Sequence, residues 1–260
     1  MADIFVWEKQ LSLGEHSDGR SGASPRSGSR GAALTEWLRA IAQYKQRERQ
    51  VKAGSQLFRP GEPCREIFEL TEGWAFLYTL FRDGRRQILN FALPGTVLGF
   101  HPVQDAITTY GVEALTDIVV TPYNVTASHL YERHPEIGMQ LAWLLSRDLR
   151  LAFDHLASIG RLSARERVAH LLLELFIRQR MRWPGHQIED LHLPLTQEHI
   201  GDATGLTGVH VNRMLRDLMK KGIIQFQYRH LRILDPDRLV ELAAVDPYVL
   251  QSWIEPGAPS

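Results

Sequence analysis

Residues 196–222 read "TQEHIGDATGLTGVHVNRMLRDLMKKG". Two glycines, Gly201 and Gly205, sit where apolar residues otherwise recur at helical spacing. Glycine weakens a helix interior, so the pair needs a reason. Thr196 can cap a helix running through Thr204, and Gly205 can end it as a left-handed C′ residue. Thr207 caps a second helix that continues to Lys221 and stops at Gly222. Two short helices joined by such a turn form a helix-turn-helix. Ile200, Leu206, Val211 and Met214 face inward and hold the two helices at a steep angle. Gly201 falls where the helices cross closely, so a side chain there would push them apart. A plain helical hairpin in a bundle leaves these joint placements unexplained.

The flanks extend the pattern. After Gly222, "IIQFQYRHLRIL" reads as two short strands around Tyr228-Arg229-His230, a wing whose Arg229, His230 and Arg232 offer charge to phosphates. Upstream, "RWPGHQIEDLHLP" is a loop with a short strand. Ser163 and Glu166 form a capping box, so one helix ends near Arg161 and the next starts at Ser163. Pro135 suits the start of the earlier helix. Along it Leu141, Leu145, Leu149, Ala152, Leu156 and Ile159 recur at spacings of 4, 4, 3, 4 and 3, an a/d seam. That seam either lies against the rest of the chain or meets a partner helix, and its length favours a parallel homodimer.

From Gln50 to Thr126 short runs of β-formers are split by turn signals, with Asp83-Gly84 marking a hairpin. Such a run of strands implies a sandwich or small barrel. Residues 34–45 carry Leu34, Trp37, Leu38, Ile41 and Tyr44 on one helical stripe. Residues 14–31, rich in Gly, Ser and Arg, read as a tether. The apolar residues ahead of it either dock somewhere or form a loose tail. The expected division is a tail over 1–33, a barrel over 34–127, a dimerisation helix over 128–161, a winged helix-turn-helix over 162–240 and an extension over 241–260.

Composition narrows the chemistry. The chain has 260 residues, with 30 basic and 30 acidic, so any basic patch is local. The single cysteine, Cys64, excludes an internal disulfide and a cysteine-held cluster. In its "GEPCRE" turn it is either a redox switch or an inert exposed thiol. No apolar run approaches a membrane span of ~18 residues. The start lacks a signal-peptide pattern, so the cytoplasm is the expected location. A cupin-like barrel enzyme needs several His and Glu metal ligands, and the barrel offers only His101. No enzyme activity, metal or cofactor is expected.

The strand-rich segment with "PGEP", "DGRRQIL" and "LPGTVLG", then a seam helix, then "LTQEHIGDATGLTGVHVNRMLRDLMKKGII", resembles the Crp/Fnr family of bacterial transcription regulators over residues 34–240. The resemblance implies an α+β fold: a β-barrel or jelly-roll sensor domain of cyclic-nucleotide-binding type, a long dimerisation helix and a C-terminal winged helix-turn-helix. It also implies a homodimer on palindromic double-stranded DNA, acting as an activator through RNA polymerase or as a repressor. Arg213 is the expected base contact, or else a phosphate or salt-bridge partner. Gly208, Val209, His210, Asn212 and Arg216 share its outward surface. Asn212 meets either an adenine or the backbone. Thr196, Gln197, Glu198, Thr207 and His210 lie near the sugar-phosphate chain. Val209 stands where many members carry glutamate, which predicts an altered half-site. The cyclic-nucleotide pattern is broken, because Phe100 replaces its glutamate and Thr108-Thr109 its Arg-Ser pair. An effector of unknown identity, haem at His101 included, would sit near Phe100, His101, Leu149 and Phe153.

Overall fold

The short β-former runs pair into two four-stranded antiparallel sheets. The strands are β1 (Arg49–Val51), β2 (Gln56–Phe58), β3 (Ile67–Glu72), β4 (Ala75–Leu80), β5 (Arg86–Ala92), β6 (Val97–Leu98), β7 (Gly111–Ala114) and β8 (Ile118–Tyr123). One sheet runs β1-β8-β3-β6 and the other β2-β7-β4-β5. This computed structural model describes residues 41–100, 107–134, 138–180, 190–246, 249, 250 and 253. Asp83 and Gly84 lie in the β4–β5 hairpin, closed by the Phe81 N–H donating to the Arg85 carbonyl across 2.9 Å. Leu70, Ala75, Ala92, Leu98, Val112 and Val120 fill one buried cluster between the sheets. The jelly-roll expectation therefore holds.

Strands β4 and β5 are buried on both faces. Side chains alternate along a strand, so Ala75 and Ala92 point into the sandwich while Phe76, Tyr78, Ile88 and Phe91 emerge on the other side. There they join Leu172, Leu175, Ile200 and Leu215 of the C-terminal half in a single core. The sensor sheet is packed directly onto the second half of the chain.

Helix α1 (Ala127–Arg133) is capped by Thr126, and α2 (Gly138–Arg161) follows as a separate helix. The stretch expected as one dimerisation helix over 128–161 is thus two helices, and Pro135 lies outside the described residues. Helix α3 (Ala164–Arg180) starts after Ser163, whose N–H donates to Glu166 Oε2 across 2.6 Å. Of the helix expected over 34–45 only the end is described, where Ala42–Tyr44 form a 3-10 turn. Three further strands, β9 (Asp190–His192), β10 (Ile224–Gln227) and β11 (His230–Ile233), make an antiparallel sheet in the order β10-β11-β9. Helices α4 (Gln197–Thr204), α5 (Gly208–Lys220) and α6 (Pro236–Ala243) complete the C-terminal half.

One expectation changes. Cys64 is buried rather than exposed. Burial pushes its thiol pKa up, opposed by a backbone hydrogen bond at Glu66 and reinforced by the Glu66 charge; the thiol also lies 3.3 Å from the Glu66 carbonyl, to which it donates. The α2 seam does not lie against the barrel: Leu145, Leu149, Phe153, Leu156 and Ile159 are all exposed, as is Ala152. Leu141 belongs to the helix, but its side chain lies outside the described residues. Among the described residues no helix is long and apolar enough to cross a membrane.

Candidate nucleic-acid interface

Threonines and glycines set the two helices. Thr196 Oγ1 accepts from the His199 N–H at 3.2 Å, and His199 Nδ1 accepts from the Thr196 N–H at 3.3 Å. This is a capping box with an imidazole in the place of a carboxylate. Burial, helped by the nearby Arg86 charge, lowers the His199 pKa, which keeps the ring neutral and Nδ1 able to accept. Gly205 ends α4 in the left-handed region at φ +68°, where any other residue is strained. Gly201 is required by close approach: a Cβ there would stand 2.5 Å from the Leu206 carbonyl oxygen. The contact is with the turn itself rather than with a side chain of α5. Thr207 then caps α5, accepting from the His210 N–H at 3.3 Å.

Val211, Met214, Leu215 and Leu218 bury one face of α5. The opposite face is open. Val209 is 81% exposed, and Thr207, His210, Arg213 and Arg216 are exposed with it, while Gly208 and Asn212 are half-buried. On α4, Gln197 and Glu198 are exposed, and Thr196 is half-buried. Asn212 Nδ2 donates to Gln197 Oε1 across 3.0 Å and so links the two leading turns. At the far end of α5, Asp217 pairs with Arg165 of α3 at 2.7 Å and with Lys221 at 3.3 Å.

The wing turns in two residues. Tyr228 and Arg229 both take positive φ, 49° and 65°, and Gln227 faces His230. This is the backbone of a tight hairpin. Tyr228, Arg229 and His230 are exposed, and β9 pairs along the far edge of β11, opposing His192 to His230. The expected two-stranded wing is a three-stranded sheet. The Arg229 carbonyl accepts from the Leu193 N–H at 2.7 Å, and the Arg229 charge reaches His199 of the α4 cap. Wing tip, α4 start and α5 start therefore lie on one side of the molecule.

Of the residues named for an effector, Phe100 packs against the cluster of Ile41, Ile67, Tyr123, Val125 and Leu130, Leu149 and Phe153 are exposed on α2, and His101 lies outside the described residues. Thr108 is buried with its hydroxyl donating to the Arg59 carbonyl at 2.7 Å.

Sequence reasoning missed the charges beneath this surface. Glu174 is fully buried, holding His155 Nε2 at 2.7 Å and Arg178 Nη1 at 2.6 Å. His155 Nδ1 also reaches the Leu89 carbonyl at 3.0 Å, and Arg178 donates to the Phe91 carbonyl at 2.7 Å. His170 repeats the arrangement with Asp154 at 2.9 Å and the Ala243 carbonyl at 3.1 Å. The usable signal was Glu174 and Arg178, one helical turn apart, inside the apolar run "AHLLLELFIRQ".

Comparison with known proteins agrees with this arrangement. Residues 48–130 match the cyclic nucleotide-binding domain family, and residues 166–242 match the Crp-like helix-turn-helix domain family. The transcriptional activatory protein AadR of Rhodopseudomonas palustris is 32% identical over 189 residues, 72% of this chain and 77% of that protein. The nitrogen fixation regulation protein FixK of Bradyrhizobium diazoefficiens is 31% identical over 193 residues, 74% of this chain and 80% of that protein. The structure of FixK2 from Bradyrhizobium japonicum superposes with a TM-score of 0.67 at 30% identity, covering 77% of this chain and 98% of that one.

Proposed function

This chain belongs to the Crp/Fnr family of transcription regulators, and from that premise we propose that it activates transcription as a homodimer on a palindromic promoter site. The observation that carries the reading is the open leading turn of α5, where Val209, His210 and Arg213 are exposed on a helix whose other face is buried. An α-helix fits the DNA major groove, and a dimer of such helices addresses half-sites about 34 Å apart. The exposed α2 stripe supplies the apolar surface for the partner.

Arg213 grips a guanine through O6 and N7, the commonest specific arginine contact. Val209 packs on a thymine methyl, since valine cannot accept from a cytosine amine. Thr196, Glu198, Thr207, Gly208, His210, Arg216 and the wing residues Arg229 and His230 set register along the sugar-phosphate chain. RNA polymerase is the partner that converts occupancy into activation. Control does not run through a cyclic nucleotide. Thr108 stands where a phosphate-binding Arg-Ser pair would begin, its hydroxyl is spent on a backbone carbonyl, and the sequence holds no arginine between Arg86 and Arg133.

The test is binding of wild type and Arg213→Ala to a selected promoter site and to random DNA at two salt concentrations. Expected is a loss of about 10- to 100-fold confined to the selected site, the worth of one good bidentate pair. Equal loss on both DNAs overturns Arg213 as a base reader.

A further inference from the structure

We propose that Gln197 and Asn212 act as one reading unit for an adenine of the half-site, with Asn212 as the base contact and Gln197 as its positioning residue. The inference rests on the reading that α5 enters the major groove. The two side chains come from different helices and meet at the leading turns, where Asn212 Nδ2 donates to Gln197 Oε1 across 3.0 Å. Gln197 is exposed and Asn212 half-buried, so the pair borders the open face that carries Val209 and Arg213.

A primary amide has two N–H donors and one carbonyl acceptor. Pairing with adenine uses the carbonyl, which accepts from N6, and one N–H, which donates to N7. One N–H of Asn212 is left over, and the Gln197 carbonyl is placed to take it. With the Gln197 N–H groups turned to a neighbouring phosphate, this contact also fixes the direction of the Asn212 amide. A half-turn of Asn212 would set its carbonyl against the Gln197 carbonyl, two acceptors with no proton between them. The flipped amide would also present its carbonyl to the purine N7, again acceptor against acceptor. Gln197 thereby holds Asn212 in the one orientation that matches adenine. Its own Nε2 keeps its N–H groups for a neighbouring phosphate.

A simpler role for Gln197, a phosphate contact at the start of α4, makes a different prediction. Losing a phosphate contact weakens binding to all sequences alike. Losing the amide clamp changes the preference at one base pair. The substitutions Gln197→Ala and Gln197→Glu separate the two. The carboxylate that Gln197→Glu introduces still accepts the Asn212 N–H but repels phosphates.

The experiment selects sites from random DNA with the full chain, then measures binding of each variant to the selected site and to its single-base replacements. One added probe carries 7-deazaadenine, which lacks N7, at the adenine that Asn212→Ala ceases to discriminate. We expect Gln197→Ala to lower discrimination at that adenine about 10-fold, near the lower end of one bidentate contact, and to leave the Arg213-dependent guanine untouched. Gln197→Glu should keep the adenine preference while losing affinity for every site. The double variant Gln197→Ala, Asn212→Ala should discriminate no worse than Asn212→Ala alone. Gln197 is exposed and Asn212 half-buried, so an unchanged melting temperature verifies that each variant folds. A base profile left unchanged by Gln197→Ala, with or without a uniform loss of affinity, overturns the pairing while leaving the regulator reading intact. If the wild type selects no site, or Arg213→Ala alters no base preference, the groove reading itself fails and takes this one with it.

Discussion

Arg86, on strand β5 of the sensor sheet, donates its Nε–H to the Asp202 carboxylate on helix α4 across 2.8 Å. The same guanidinium lies over the Phe76 ring, 4.9 Å from its centroid, and pairs with Glu113 at 3.5 Å. Beside it Gln87 Nε2 donates to the Ala203 carbonyl at 3.3 Å. Helix α4, which supports α5, is therefore tied to the barrel by a largely sheltered charge pair. Arg86→Ala should cost about 2 kcal/mol, typical of a hydrogen bond between charged groups. Burial already raises the Glu113 pKa, and losing Arg86 removes the charge that opposes this rise. Urea unfolding of Arg86→Ala, Asp202→Ala and the double variant measures the coupling. Additive losses would show that the two side chains do not interact.

The buried pair of His155 and Glu174 gives the stability a pH dependence. Burial alone would depress the His155 imidazolium, but the Glu174 carboxylate outweighs it and holds the pKa at about 9. Arg178 opposes that rise and the Leu89 carbonyl supports it. Burial likewise raises Glu174, and His155 and Arg178 together overcome it to bring the carboxyl down to about 2. A raised folded pKa gives His155 stabilisation that is complete below its unfolded value near 6.5 and is lost as pH rises through about 9. The depressed Glu174 contributes above about 4.5 and loses its contribution as pH falls through about 2. With Glu174→Gln the His155 share of the alkaline decline should vanish and the His155 titration, followed by NMR, should fall below 6.5. A His155 titration still near 9 in that variant would mean that the carboxylate is not its cause.

Gly201 tolerates no side chain without movement of the turn. Alanine there brings a Cβ to 2.5 Å from the Leu206 carbonyl oxygen, and backbone cannot step aside as a flexible side chain can. Gly201→Ala should destabilise the fold by about 1–3 kcal/mol, as overpacking does, and shift α5 relative to α4. Melting temperature and specific-site affinity should both drop, with affinity lost at temperatures where the protein remains folded. A variant as stable and as tightly binding as wild type would mean that the close approach is not required.

The exposed α2 stripe predicts the assembly. Leu156 is 69% exposed and Phe153 60%, positions an isolated chain would leave in water at a cost of about 1.5–3 kcal/mol per large side chain. Phe153→Glu and Leu156→Glu should each convert a dimer to monomer in sedimentation. Each should also weaken binding to a palindromic site by about 100-fold or more, because the two half-site contacts are no longer joined. A sedimentation profile unchanged by both variants would place the subunit contact elsewhere.

Local chemistry was legible in the sequence wherever a short-range rule applies. Thr196, Thr207 and Ser163 cap the helices they precede, Gly205 closes α4, and Asp83-Gly84 lie in the hairpin between β4 and β5. The seam spacing on α2 yielded an apolar stripe that the chain leaves open. These features depend on neighbours within a few residues, so order along the chain fixes them. What only the tertiary structure decided depends on groups far apart in sequence. Cys64 is shielded beside Gly99, where an added Cβ would stand 2.9 Å from its sulfur. Phe76 and Ile88 are buried because a second layer lies over their strands, and Arg86 meets Asp202 across 116 positions. His155, Glu174 and Arg178 form a network only once two helices and a strand converge. Periodicity says which face of an element is apolar or charged, but not which distant element covers it. A buried charge looks the same in sequence as an exposed one until its partner arrives.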